Sequence, residues 1–161
     1  MFKTIDGGKM PSKATKYSAC VDLFANEDVI VGAGETAMVG LGVCINLDWN
    51  VIDCNFLNSH YLQLILGSSL GKNGLILPSN IKMIDLDYKD EIKILIHNPL
   101  DINYLHDLLA NNSNACKYAE CKINKGDKIA QIALLEHKSY LFGIESDVER
   151  SGGFGSTDGD G

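Results

Sequence analysis

The sequence predicts an all-β domain built as an antiparallel sandwich or barrel, and three observations carry that expectation. Short apolar or alternating runs recur along nearly the whole chain: SACVDLFA, VIVGAG, TAMVGLGVCINL, YLQLILG, GLILP, EIKILIHN, KIAQIALLEH and YLFGIE. Turn-forming Gly, Asn, Asp, Ser or Pro residues separate them. Strand-like runs do not alternate with helix-like ones, which disfavours a parallel sheet with crossover helices. At 161 residues the chain is long enough to bury one real core and too short for two ordinary ones.

Each run reads as one strand or a pair. Between the strands of EIKILIHN and the preceding IKMI, the segment MIDLDYKDEI places Asp85, Asp87 and Tyr88 at the turn of a β-hairpin. One segment breaks the period of two: from Pro99 to Asn112, Ile102, Leu105, Leu108 and Leu109 recur at helical spacing. Pro99 and Asp101 suit its start, and Asn111 and Asn112 its end. The SNACKYAEC that follows is loop-like, so residues 99–124 read as an excursion between two strands. After Glu145 the chain turns to Gly, Ser and Asp. The expected organisation is a β domain over 1–145 and a mobile, Gly-rich tail over 146–161.

A formal charge of −7 and a pI near 4.9 argue against a nucleic-acid surface, which needs clustered Lys and Arg. A polyanionic ligand would then meet a few chosen cations. The N-terminal MFKTIDGGKM has no apolar core of a signal sequence, and no run approaches the roughly 20 apolar residues of a membrane span. A cytoplasmic protein is expected, in the host cytoplasm or nucleus if the source is viral. Five cysteines without a secretory signal suggest free thiols. Cys116 and Cys121, with His97 and His106 upstream, match no standard zinc spacing.

Three segments hold residues suited to phosphate chemistry. Gly67 to Gly74, GSSLGKNG, offers Ser68, Ser69, Lys72 and backbone donors that glycine lets converge on an anion. The same residues would also make an ordinary Gly-rich hairpin loop. Asp85, at the end of IKMI, could orient and deprotonate a water, or be a solvated turn former. In the tail ERSGGFGSTDG, Arg150 offers a planar fork for phosphate, Phe154 a stacking face, and Ser156 and Thr157 further donors. Such a tail could wrap a ligand or serve as a linker, although linkers seldom carry a large aromatic among glycines.

Taken in order, these pieces resemble the trimeric deoxyuridine triphosphate nucleotidohydrolases (dUTPases), which carry five short motifs. MPSKATKYSACVDLFA (10–25), GSSLGKNGL (67–75), IKMIDLDYKDEI (81–92), GDKIAQIAL (126–134) and ERSGGFGSTDG (149–159) stand where those motifs are expected. The resemblance implies a jelly-roll-like subunit and a homotrimer whose sites draw on several chains. It implies hydrolysis of dUTP to dUMP and pyrophosphate, with Asp85 orienting the water that attacks the α-phosphorus. Tyr88 would pack beneath the deoxyribose and exclude a 2′-hydroxyl. Ser68, Ser69 and Gln131 would contact the phosphates, and Asp22 would sit in the water shell of a Mg²⁺ held by the triphosphate. The backbone from Ser79 and Asn80 through Met83 and Ile84 to Asp85, with that of Lys93, would read the pyrimidine edge. Arg150, Ser156 and Thr157 would close on the outer phosphates while Phe154 covers uracil.

The resemblance also has departures. Gly67 stands where the second motif has Arg, and Lys82 and Asp90 stand where the third has Gly. Ser79 replaces the usual Asn, which follows at Asn80, and the fifth motif is one residue shorter after Arg150. These differences leave as the alternative a catalytically weakened, dUTPase-like nucleotide-binding or regulatory protein; a nucleotide hydrolase or deaminase with another base preference is a third reading. Residues 99–124 form an insertion that is either a docking element for a protein partner, as in some phage-borne relatives, or a tolerated surface loop.

Overall fold

The structure, a computed structural model, describes residues 1–48, 50, 52–101, 103, 106, 110 and 119–148. Ten strands dominate these residues: β1 (Phe2–Thr4), β2 (Val21–Phe24), β3 (Val29–Gly32), β4 (Thr36–Gly40), β5 (Val43–Ile45), β6 (His60–Leu66), β7 (Lys82–Asp85), β8 (Lys93–His97), β9 (Glu120–Ile123) and β10 (Lys128–Glu136). Two short helices, α1 (Cys54–Leu57) and α2 (Ser68–Lys72), and a 3-10 turn at Ser139–Phe142 complete the described part. All strand pairs are antiparallel: one four-stranded sheet in the order β2-β10-β6-β7, and the pairs β1-β5, β3-β9 and β4-β8.

The period of two in the sequence becomes the inside and outside of the fold. In β6, Leu62 and Leu64 are buried while Tyr61, Gln63 and Ile65 lie on the other face. In β8, Ile94 and Ile96 point inward. These side chains join Leu23, Val31, Val39, Ile84, Ile92, Ile123, Ile129 and Ile132 in one core shared by the four-stranded sheet and the three pairs. Burying each such side chain stabilises the fold by about 1.5–3 kcal/mol relative to exposure.

Several expectations are corrected. IKMI and EIKILIHN do not form a hairpin with each other: β7 pairs with β6, whereas β8 pairs with β4. Each strand has found a longer apolar partner elsewhere, and the chain from Leu86 to Ile92 crosses between sheets. GLILP forms only an isolated bridge, Ile76 to His97. YLFGIE is no strand but the 3-10 turn and its continuation; within the single chain Tyr140, Leu141, Phe142 and Ile144 are exposed and pair with no strand among the described residues. Of the helix expected over 99–112, the described Asn103, His106 and Ala110 are helical. The loop expected to end at 124 instead ends in β9. Cys20, Cys44, Cys54 and Cys121 are free thiols, as expected. Among the described residues no helix is long and apolar enough to cross a membrane.

Candidate active site

Two groups of the expected site residues assemble at opposite ends of β6. The first is built on β2, β10 and α2. A register shift between Lys128 and Ala130 inserts Ile129 as an extra residue in β10. Such a bulge re-aims the residues that follow. Gln131 then stands opposite Asp22, and its Nε2 donates to Asp22 Oδ1 at 2.8 Å. Lys128 Nζ lies 3.3 Å from Asp22 Oδ2, so both oxygens of this buried carboxylate have donors.

The freed Ile129 carbonyl accepts the Gly67 N–H at 2.7 Å, which joins α2 to the same end. A Cβ on Gly67 would lie 3.0 Å from that carbonyl oxygen. Where the second motif ordinarily carries Arg, this chain packs backbone on backbone. GSSLGKNG is neither a hairpin loop nor an open cradle. It is a single helical turn closed by a Schellman motif: Leu75 N–H donates to Leu70 C=O at 3.2 Å and Gly74 N–H to Gly71 C=O at 3.0 Å. Gly74 has φ +82°, the left-handed conformation that this cap requires. Leu70 and Leu75 are buried, while Ser68 and Ser69 are exposed on the first turn. First-turn N–H groups have no partner inside a helix, so backbone and hydroxyl donors share this edge.

The second group surrounds β7. Asp85 is exposed at the strand end, paired in register with Tyr61. Its carbonyl accepts the Tyr88 N–H at 3.1 Å, and this turn sends Tyr88 inward. The ring is buried, and the phenol donates to Glu91 C=O at 3.1 Å. Glu91 Oε1 in turn accepts the Gly42 N–H at 2.8 Å, which ties the turn to the β4–β5 corner. Ser79 and Asn80 are exposed in the turn before β7, where Asn80 has φ +62°. Met83 is exposed beside them and Ile84 is buried.

Lys82 shares the inward side of β7 with Ile84, opposite the buried Leu64. Its Nζ lies 3.5 Å from the Lys93 carbonyl on β8 and 5.8 Å from the Tyr88 ring centroid. Burial lowers its pKa from 10.5 to about 8. Residues 149–161 lie outside the described residues, and with them Arg150, Phe154, Ser156 and Thr157.

A family model for dUTPase matches residues 6–104. The deoxyuridine 5′-triphosphate nucleotidohydrolase of Nautilia profundicola is 31% identical over 153 residues, covering 92% of this chain and 89% of that protein. The chain belongs to the dUTPase family. The enzyme of the same name from Rickettsia akari is 29% identical over 157 residues, covering 93% of this chain and 88% of its own length. Among solved structures, the dUTPase of Staphylococcus bacteriophage 80alpha with dUPNHPP aligns with a TM-score of 0.67 at 18% identity, over 98% of this chain and 96% of that chain. The Streptococcus mutans dUTPase aligns at 0.61 and 20% identity, over 84% and 94%. These likenesses bear out the jelly-roll-like dUTPase fold.

As a dUTPase this chain has two features its motifs did not announce. Lys128 neutralises Asp22, which becomes visible only once β2 is set against β10. Tyr61 faces Asp85 from β6; a sequence gives no cross-strand register from which to read that. The donor set fits a Mg²⁺ held by phosphates rather than by the protein. Among the described residues no three His, Cys, Asp or Glu side chains gather to hold a metal. Asp22, with one donor on each oxygen, keeps acceptor positions that could take the N–H or O–H of a further partner, a metal-bound water among them.

Proposed function

We propose that this chain is a Mg²⁺-dependent dUTPase that releases dUMP and pyrophosphate, with Asp85 as the base that orients the attacking water. The observation that carries the reading is the turn after β7: it holds Asp85 outward at a strand end while its carbonyl fixes Tyr88 inward, three residues later. Transfer of the nucleotidyl group to water, with pyrophosphate leaving, needs chiefly an in-line nucleophile, charge neutralisation and exclusion of bulk water. Asp85 would orient the water that serves as the first. Ser68, Ser69 and Gln131 would donate to the phosphates, and Tyr88 would support the deoxyribose. The backbone of Ser79, Asn80, Met83, Ile84 and Lys93 would meet the base. Asp22 would hold water around a phosphate-bound Mg²⁺, whose chemistry when bound is to neutralise phosphate charge.

The arrangement within one chain supports a homotrimer with shared sites. Tyr61, beside Asp85, and Ile65, beside Gln131, are four residues apart on β6, about 13 Å at strand rise. One copy therefore separates its base from its phosphate donors, and a neighbouring copy would complete each site. Residues 146–161, with Arg150, Phe154, Ser156 and Thr157, would close over the nucleotide as a lid.

The test is pyrophosphate release from dUTP with Mg²⁺, beside dCTP, dTTP and UTP at equal concentration. Release from dUTP alone is expected, and no release from a folded protein would overturn the reading. A weakened enzyme is the second reading, favoured by the closed space at Gly67. A charge-assisted hydrogen bond contributes about 1.5–3 kcal/mol, so loss of the Arg clamp corresponds to at least tenfold in binding or turnover. Gly67→Arg tests it, read in protein whose urea midpoint matches wild type because the new Cβ would press on the Ile129 carbonyl: a tenfold rate gain marks a missing clamp. An unchanged rate means that α2 and Gln131 already suffice.

A further inference from the structure

We propose that the Lys82 side chain plugs the slot between β7 and β8 that receives the pyrimidine, its ammonium holding the Lys93 carbonyl where a base N–H would donate. The inference rests on the dUTPase reading, which puts the base between these two strands. Four observations lead to it.

First, β7 pairs with β6 and β8 with β4, so among the described residues no strand ladder joins β7 to β8. Second, Lys82 shares a face with the buried Ile84 and is itself half-buried, so its stem starts on the core side of β7. Third, the Nζ reaches across to Lys93 O at 3.5 Å, over the Tyr88 ring on which the sugar would rest. Fourth, half-burial of the ammonium lowers its pKa, so this position costs the side chain hydration that it would keep outside.

The Lys93 carbonyl is an acceptor and asks for a donor. The ring N3–H of uracil is one, whereas the corresponding nitrogen of cytosine is an acceptor. Lys82 thus offers a stand-in for the uracil edge, and uracil must displace it. Asp85 lies on the other face of β7, so the plug governs entry of the base more than the chemical step.

The experiment compares the full chain with Lys82→Gly, which opens the slot, and with Lys82→Met, which keeps the stem without the donor. Two quantities are read: steady-state hydrolysis of dUTP and dCTP, and calorimetric binding of the α,β-imido analogue of dUTP. In Lys82→Gly both the KM for dUTP and the Kd of the analogue should fall about five- to tenfold, the scale of one displaced hydrogen bond. Lys82→Met should fall between, and dCTP should not share the gain. In the wild type, saturating analogue should speed acylation of Lys82 by an amine-reactive ester, because the side chain has been expelled.

An unchanged or raised KM in a folded Lys82→Gly protein overturns the plug, as does protection of Lys82 by the analogue or an equal gain for dCTP. Wild-type hydrolysis of dUTP alongside such a result leaves the enzyme reading standing. If neither wild type nor Lys82→Gly binds the analogue, the enzyme reading fails and takes the plug with it. Binding by the variant alone supports both.

Discussion

The two ends of β6 solve the problem of polar burial in opposite ways. At the α2 end, Asp22 is closed off by Gln131 and Lys128, the Ile129 carbonyl by Gly67, and the last carbonyls of α2 by a Schellman cap. Little is left to rearrange there. At the β7 end, Asp85 is exposed, Lys82 is half-buried with a lowered pKa, and β7 and β8 pair with different strands. A site that grips phosphates gains from preorganised donors. One that must admit a base gains from a group that can move. Under the proposed assignment, phosphate contacts would set rigid geometry while selectivity would be carried by the looser end.

The largest way to break this pairing is Asp85→Asn, which removes the proposed base without changing the backbone turn. Pyrophosphate release from dUTP should drop on the order of 10²–10⁴-fold, while calorimetric affinity for the imido analogue stays within a few-fold. Retained activity would remove Asp85 from the mechanism. The same variant sharpens the argument for shared sites. Mixed with Gln131→Ala and reassembled, it should recover activity above either parent, with roughly a quarter of sites intact under random mixing. Absence of recovery in verified mixed assemblies would mean that one copy supplies both groups.

Next in size is Leu64→Ala. Leu64 is fully buried midway along β6, between the two ends, and stands opposite both Ile132 and Lys82. Its truncation should cost about 2–5 kcal/mol in urea unfolding, the usual range for a core leucine. Because both ends hang on this strand, one cooperative transition should shift as a whole. Two separate transitions would show that the ends are independent.

Much of this arrangement was legible in the sequence, and the illegible part has physical causes. β6 and β8 announced themselves because alternate Leu and Ile side chains must all face one core. Motif order singles out Asp85, Tyr88 and Gln131 as candidates, and they lie on β7, its turn and β10. Pairing was not legible: nothing local says that Lys82–Asp85 prefers β6 to β8, since a period of two fixes faces and not neighbours. YLFGIE misleads for the opposite reason, as apolar composition without a strand to pair with in the same chain does not make a strand. The Schellman cap was hidden too, because GSSLGKNG satisfies loop and helix-end rules equally until Leu70 and Leu75 are seen to pack in the core.

A smaller effect is expected from Asp22→Ala at the closed end. Lys128 is partly exposed and can turn to solvent, but the Gln131 amide loses its acceptor in a half-buried place. Destabilisation of about 1–3 kcal/mol is expected in urea unfolding, the range for leaving a buried donor unsatisfied. Affinity for the imido analogue should fall as well, because Gln131 is no longer held toward the phosphates. Loss of stability with unchanged affinity would assign Asp22 to the fold alone.

The smallest effect concerns the open end and is read through pH. Lys82 has a folded pKa of about 8 against the ordinary 10.5, lowered by burial. Below pH 8 both folded and unfolded chains carry the proton, and burial of the charge is a constant penalty on the fold. Between about 8 and 10.5 the unfolded chain still holds a proton that the folded chain has released, so this group makes stability rise with pH. Other lysines and tyrosines titrate in the same window, and the difference between two proteins isolates the one group. Lys82→Met should therefore be more stable than wild type at pH 7, and the gap in Tm should close as pH climbs through that window. A gap that is constant with pH would mean that Lys82 is solvated like any surface lysine, and the contrast between the two ends of β6 would lose its electrostatic basis.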